Sequence, residues 1–239
     1  MWRFLGIGAQ KGGTTWLYEQ LRRHPQIGFP KGKEAHFWDR LEGLSGVPAY
    51  VNAFADPERY EGEITPAYAL LSQEVIAEIR RAAPGLRLIY MMRNPVERAW
   101  SSALMALARA EMRIDEASDA WFVDHFRSRG SLGRGDYATC IRNWRSAFPS
   151  EQLLLIRYER IVSEPEDVLR RCYRHIGVDD LPPGSLGRCR ERVFAGPGHA
   201  IRPQLRERLE TLYRPRIAEL EELLAEDFSG WLSHQGGTG

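Results

Sequence analysis

Short unbroken apolar runs alternate along this chain with stretches where apolar residues recur every third or fourth position. Phe4-Leu5-Gly6-Ile7-Gly8 is a run of strand length, and Thr14 to Arg23 follows with Trp16, Leu17, Tyr18 and Leu21 near helical spacing. From Pro30 to about Pro57 the pattern is irregular and rich in aromatic residues. Tyr60 to Ile64 then reads as a strand, and Gln73 to Ala83 as a helix with Val75, Ile76 and Ile79 on one face, stopped by Pro84-Gly85. Leu86 to Met92 is the clearest strand. Asn94-Pro95 after it has the form of a helix start, Asn as the cap and Pro at the first helical position, and that helix is expected to run to about Glu111. Further helices are expected over Ala120 to Arg127, Asp136 to Phe148 and Val168 to Ile176, with a buried strand at Leu153 to Ile156. Pro203 to Glu226 reads as a long amphipathic helix with Pro215 as its point of interruption. Strands alternating with helices predict an α/β fold, here a single domain over residues 1–232 with a central parallel β-sheet flanked by helices. Ligands of such folds sit beyond the carboxyl ends of the strands. Residues 233–239, ending Gly-Gly-Thr-Gly, read as a disordered tail.

Composition narrows the function classes. The chain has 239 residues, which suits one substantial core, and Lys+Arg 33 against Asp+Glu 32 leaves a net charge of +1. That balance argues against bulk nucleic acid or an anionic membrane as partner. Three cysteines, Cys140, Cys172 and Cys189, show no C-x-x-C spacing, so neither a disulfide framework nor a zinc site is expected. The first residues meet glycine at Gly6, too early for a signal segment or a membrane span, and a cytoplasmic location is the expectation.

The chemistry concentrates at the strand ends. Gly8-Ala9-Gln10-Lys11-Gly12-Gly13-Thr14-Thr15 joins the first strand to the first helix, where free amides and the helix dipole hold an anion. It is P-loop-like without being a Walker A loop, because Lys11 precedes the glycines. A nucleotide triphosphatase also wants an acidic strand end for Mg²⁺, whereas the strand ending at Met92 delivers Arg93, a fork for a second phosphate. Two anion sites at neighbouring strand ends suggest a nucleotide phosphorylated at two places.

These residues carry a resemblance. Lys11-Gly12-Gly13-Thr14-Thr15-Trp16-Leu17 resembles the 5′-phosphosulfate loop of sulfotransferases that use 3′-phosphoadenosine 5′-phosphosulfate, PAPS. Arg93-Asn94-Pro95-Val96-Glu97-Arg98-Ala99-Trp100-Ser101 is similar to that family's 3′-phosphate segment, which implies Arg93 and Ser101 as ligands of the phosphate. Gly135-Asp136-Tyr137 with Ile141 and Trp144 resembles a stretch of the branch that contains heparan sulfate N- and 3-O-sulfotransferases and many bacterial enzymes; it adds Tyr137 to the implied nucleotide contacts. Lys33-Glu34-Ala35-His36-Phe37-Trp38-Asp39 is similar to the same branch's catalytic segment. The resemblance spans residues 4 to about 231. It implies sulfuryl transfer from PAPS to a hydroxyl with no metal, Lys11 on the phosphosulfate bridge, the amides of Gly12 to Thr15 on the 5′-phosphate, and Trp16 beside them. Glu34 is the implied general base, with His36 and Asp39 orienting it or the acceptor. On physical grounds His36 competes for that role, because an imidazole titrates near neutrality without tuning. The only lysines, Lys11, Lys31 and Lys33, all lie around this expected site.

Two departures from the family pattern bear on the acceptor. Glu61-Gly62-Glu63-Ile64-Thr65-Pro66-Ala67-Tyr68 resembles an E-K-T-P-S-Y segment of the 3-O-sulfotransferases, with Ile64 where they carry lysine; Glu63, Thr65 and Tyr68 are candidates to line an acceptor pocket. In Phe194 to Arg202, where the family often has a basic loop over the nucleotide, only Gly198, His199 and Arg202 offer candidates, Arg202 for the 3′-phosphate. The charge balance favours a neutral or small hydroxyl acceptor, a glycan or a small molecule, over a polyanion. Phe37, Trp38, Tyr50, Phe54 and Tyr60 are equally stacking surface or core. Met112 to Arg134, polar and broken by glycine, is a candidate mobile lid. The long C-terminal helix leaves a homodimer open. Competing readings are a P-loop-like kinase using Mg-ATP on a small molecule and a non-catalytic nucleotide-fold scaffold.

Overall fold

The apolar runs become the strands of one parallel sheet in the structure, a computed structural model that describes residues 2–182, 184–191 and 198–232. In chain order the elements are β1 (Trp2–Gly8), α1 (Thr14–Leu21), β2 (Ile27–Gly28), α2 (Val47–Asn52), β3 (Tyr60–Ile64), α3 (Gln73–Ala82) and β4 (Arg87–Met92). These are followed by α4 (Pro95–Arg109), α5 (Asp119–Arg127), α6 (Arg129–Arg134), α7 (Tyr137–Arg145), β5 (Leu153–Arg157), α8 (Tyr158–Ser163), α9 (Pro165–Ile176) and α10 (Pro203–Leu224). The sheet order is β2-β3-β1-β4-β5, every pairing parallel. From β1 the chain first builds one side of the sheet and then, with β4, the other. The carboxyl ends of β1 and β4 therefore flank the crevice where such sheets bind ligands. The α/β class and the parallel sheet agree with the reading of the sequence.

Packing divides the chain into two compact units, Met1–Arg93 with Cys140–Ala195, and Asn94–Thr139 with Gly196–Gly239. The first holds the whole sheet. Phe4, Leu17, Leu21, Ile64, Ile89, Met91 and Ile156 meet Val168, Leu169, Cys172 and Ile176 of α9 in its main cluster. A second cluster, of rings, joins Trp2, Trp38, Tyr50 and Phe54, with Trp2 stacked 6.1 Å from Trp38 and 5.6 Å from Phe54. Of the aromatic residues of the irregular stretch, Trp38, Tyr50 and Phe54 are thus core, while Phe37 stacks half-buried on Tyr50 at 4.4 Å.

The second unit is helical. Asn94 caps α4 as its sequence suggests, its side chain accepting from Val96 N at 2.9 Å. Leu205, Leu209, Tyr213, Ile217 and Leu220 are the buried face of α10. That helix continues through Pro215, since losing one N–H is offset by the buried Tyr213 and Ile217 on either side of it. The candidate lid is helical: α5 and α6 occupy most of it, Phe122 and Phe126 are buried, and Phe122 stacks on Trp100 at 5.0 Å. Apolar spacing within a polar stretch had enough burial to hold it. No helix among the described residues is long and apolar enough to cross a membrane. Residues 233–239 and 192–197 lie outside the described residues.

Candidate active site

Five connections leave the carboxyl edge of the sheet within the first unit: Gly8–Gly13 after β1, the segment from Phe29 after β2, Thr65–Tyr68 after β3, Arg93 after β4, and Tyr158 after β5. The parallel register brings them to one edge. In the first, Ala9 N donates to Met91 O at 2.8 Å and Gly12 N to Ala9 O at 2.9 Å, which folds the loop tightly against the end of β4. A Cβ on Gly12 would stand 2.8 Å from the Met91 carbonyl oxygen, a backbone atom unable to yield, so only glycine fits. Gly13 has φ 97°, in the left-handed region, and turns the chain into α1. The first helical bond runs from Leu17 N to Gly13 O at 3.1 Å, so the amides of Thr14, Thr15 and Trp16 precede any intrahelical acceptor. These first-turn amides and the dipole suit an anion. The amide of Gly12, expected on the 5′-phosphate, is instead bonded to Ala9.

Arg93 closes this loop from the side. It is half-buried, its Nη1 donates to Lys11 O at 3.3 Å, and its Cζ lies 4.7 Å over the ring of Tyr158, the first residue of α8. Lys11 is held with φ 68°. Lysine, arginine and helix amides are the donor set that phosphates require, so the residues present fit a phosphorylated nucleotide. Tyr158, which fixes the guanidinium plane, was not legible in the sequence because nothing near it in the chain announces the contact. Trp16 offers the loop its amide alone: its ring belongs to the main cluster and its Nε1 donates to Cys189 O at 2.8 Å.

The segment after β2 carries the candidate catalytic side chains. Backbone anchors recur along it: Ile64 N donates to Lys33 O at 2.9 Å, Ala35 N to Glu63 Oε2 at 2.9 Å, and Phe37 N to the Tyr68 hydroxyl at 3.1 Å. Between the anchored residues, Glu34 and His36 stand clear, with side chains 37% and 27% exposed. His36 is the hub. Its Nε2 lies 3.3 Å from Glu34 Oε2 and its Nδ1 2.9 Å from Asp39 Oδ2, while Lys33 Nζ donates to Glu34 Oε1. The imidazole thus turns one nitrogen to each carboxylate, which links Glu34 to Asp39 through a single ring.

Behind this segment lies Glu63, 0% exposed. Its Oε2 accepts from Ala35 N at 2.9 Å and Thr65 Oγ1 at 2.7 Å; its Oε1 accepts from the Tyr68 hydroxyl at 2.9 Å and from the Tyr50 hydroxyl. Burial first, and then the adjacent Glu63 carboxylate, push both tyrosine hydroxyls well above the ordinary phenol range. Tyr68 is equally buried, and both residues, expected to line an acceptor pocket, stand behind the segment instead. Tyr50 and Thr65 complete the network. Only Thr65 was suggested by a motif, since Tyr50 lies in an irregular aromatic stretch.

In the second unit, Ser101 is half-buried on α4, and Tyr137, expected at the nucleotide, is buried with its ring 5.9 Å from Trp231. Arg202 is otherwise engaged: it pairs with Asp119, Nη2 donates to Ile114 O at 3.0 Å, and its guanidinium covers Phe122 at 5.2 Å. Its donors secure the connection from α4 to α5, which displaces the expected 3′-phosphate role.

A family model described as a sulfotransferase domain matches residues 3–192. Heparan sulfate glucosamine 3-O-sulfotransferase 3A1 of Mus musculus is 29% identical over 260 residues, 94% of this chain and 63% of its own length. Heparan sulfate glucosamine 3-O-sulfotransferase 6 of Homo sapiens is 26% identical over 94% of this chain and 72% of its own. The chain thus spans somewhat under two thirds of the first of these and somewhat over two thirds of the second. Among solved structures, a sulfotransferase from Alicyclobacillus acidocaldarius is similar with a TM-score of 0.74 at 28% identity, covering 98% of this chain and 99% of that one. Mouse sulfotransferase SULT7A1 complexed with PAP shares the fold, with a TM-score of 0.63 at 14% identity over 94% and 86% of the two chains. With the strand-end loops in place and the family model covering most of its length, this chain belongs to the sulfotransferase domain family.

Proposed function

We propose that the protein transfers the sulfuryl group of PAPS to a hydroxyl of an uncharged carbohydrate or small-molecule acceptor, with Glu34 as general base. The observation that carries this reading is the linked set Glu34, His36 and Asp39 on a segment leaving the same sheet edge as the anion-binding loop. PAPS supplies an activated sulfuryl group on a phosphate leaving group. In the transfer the acceptor oxygen bonds to sulfur, the bond from sulfur to the 5′-phosphate oxygen breaks, and the hydroxyl proton passes to Glu34. His36, braced by Asp39, shares that proton. Lys11 and the first-turn amides of α1 carry the charge that grows on the departing phosphate, and Arg93 holds the 3′-phosphate.

The charge around the segment supports an uncharged acceptor. Residues 31–42 pair Lys31, Lys33 and Arg40 against Glu34, Asp39 and Glu42. Ile64 is fully buried, so its position brings no cation to the acceptor.

Calorimetric titration with 3′,5′-diphosphoadenosine in the absence of metal, beside Mg-ATP, tests the donor. Arg93→Ala should weaken the former by about 10- to 100-fold, the worth of a charged hydrogen-bonded contact. Binding of Mg-ATP alone would turn the reading to a kinase. Glu34→Gln should keep diphosphoadenosine binding and lose about 10²- to 10⁴-fold in turnover, the usual contribution of a general base. If Glu34→Gln kept its rate and His36→Gln did not, His36 would be the base.

A further inference from the structure

We infer that Glu63 is a positioning residue for sulfuryl transfer: buried beneath the catalytic segment, it sets where Glu34 and His36 stand without itself meeting the acceptor. The inference rests on the proposed roles of those two side chains. Its basis is a count of bonds at one carboxylate. Glu63 is 0% exposed and accepts from four donors: a backbone amide at Ala35, the Thr65 hydroxyl and the hydroxyls of Tyr50 and Tyr68. A buried carboxylate is tolerated where its lone pairs are matched in this way, and it then fixes the groups around it.

What it fixes is the segment that carries the base. The bond to Ala35 N grips the backbone between Glu34 and His36. On its other oxygen, Tyr68 passes the grip onward, since the hydroxyl that donates to Glu63 also accepts from Phe37 N at 3.1 Å and Trp38 N at 3.4 Å. Tyr50, donating to the same oxygen, stacks on Phe37 at 4.4 Å and holds that side chain as well. One carboxylate therefore orders residues 35–38 from below, including His36, whose backbone sits at φ 52°. Left-handed geometry at a non-glycine residue persists only where its surroundings hold it.

The test compares Glu63→Ala, Glu63→Gln and Tyr68→Phe with Glu34→Gln. Glutamine can keep its oxygen toward Ala35 N and turn its amide toward the tyrosines, which can then accept, so it is the conservative rescue. Two readouts are taken: amide hydrogen exchange across 33–38 and 12–21, and release of diphosphoadenosine from PAPS with p-nitrophenol or water as acceptor, beside the affinity for diphosphoadenosine. Glu63→Ala should speed exchange of 33–38 at least tenfold and leave 12–21 unchanged. Its turnover should fall at least 30-fold with diphosphoadenosine affinity within threefold of wild type, and Glu63→Gln should recover most of both. Tyr68→Phe should free Phe37 and Trp38 amides while sparing Ala35.

Unchanged exchange at 33–38 in Glu63→Ala overturns the inference even if no acceptor is turned over. So does wild-type turnover in Glu63→Ala when Glu34→Gln is inactive. Full activity in Glu34→Gln instead overturns the base assignment, and the exchange data still decide whether Glu63 orders the segment.

Discussion

Among the described residues each unit buries one fully inaccessible charged side chain, and the two are treated very differently. Glu63 in the first unit has four donors on two oxygens. Arg98 in the second, on α4, is also 0% exposed, but one nitrogen carries its bonds: Nη2 donates to Ser131 O at 2.6 Å and to the Tyr213 hydroxyl at 3.1 Å. Its Nε and Nη1 have no partner among the described residues. Burying a charge costs several kcal/mol unless the pairing is complete, so the first unit recovers that cost in fixed geometry and the second does not. A fully matched charge marks a place where position matters.

The largest effect is expected at Glu63→Ala, which strands four donors and should cost about 3–5 kcal/mol, a fall of very roughly 6–20 °C in melting temperature for a chain of this size. Arg98→Met should be milder, about 1–2 kcal/mol, because the methionine fills the space and removes the unmatched N–H groups while Ser131 and Tyr213 lose one donor. Thermal unfolding of the two variants side by side decides the matter; equal losses would abolish the distinction.

The smallest effect is a titration. The pKa of His125 lies below its ordinary 6.5, first because burial disfavours the cation and second because the Arg98 charge repels it. A base whose folded pKa is depressed leaves the unfolded chain to take up the proton first. The stability it supports above pH 6.5 is therefore lost as the pH falls from there through the folded value. Arg98→Met should move the His125 midpoint upward in an NMR titration while burial keeps it under 6.5, and the melting temperature should then depend less on pH in this window. A midpoint that does not move would mean Arg98 is not felt at His125.

Much of this was readable in the chain. The runs at Phe4 to Gly8 and Leu86 to Met92 could be satisfied only as buried strands, and both are. The Asn94-Pro95 start of α4 is chemistry local to two residues, and its cap bond is present. Lys11, Gly12 and Gly13 were legible as an anion loop because a glycine turn between strand and helix needs no distant partner. The two-residue strand β2 and the short helices α2 and α8 were not, being too brief to show a period. Nor was the seat of Trp16, whose ring and N–H are claimed by Cys189 far along the chain.

The catalytic segment divides along the same line. Its ingredients, Glu34, His36 and Asp39 close together after the first helix, are readable from the chain, because spacing of a few residues is a local property. Which carboxylates face outward and which support them is a matter of packing. Glu34 and Glu63 are the same side chain chemically; one is left clear and the other is enclosed, because Thr65 and Tyr68 follow Glu63 closely in the chain while Ala35 and Tyr50 are brought to it where the segment after β2 is tied to the end of β3. Hydrogen bonds reach about 3 Å, and which groups fall within that reach across 33 residues of chain is set by the packing of the sheet.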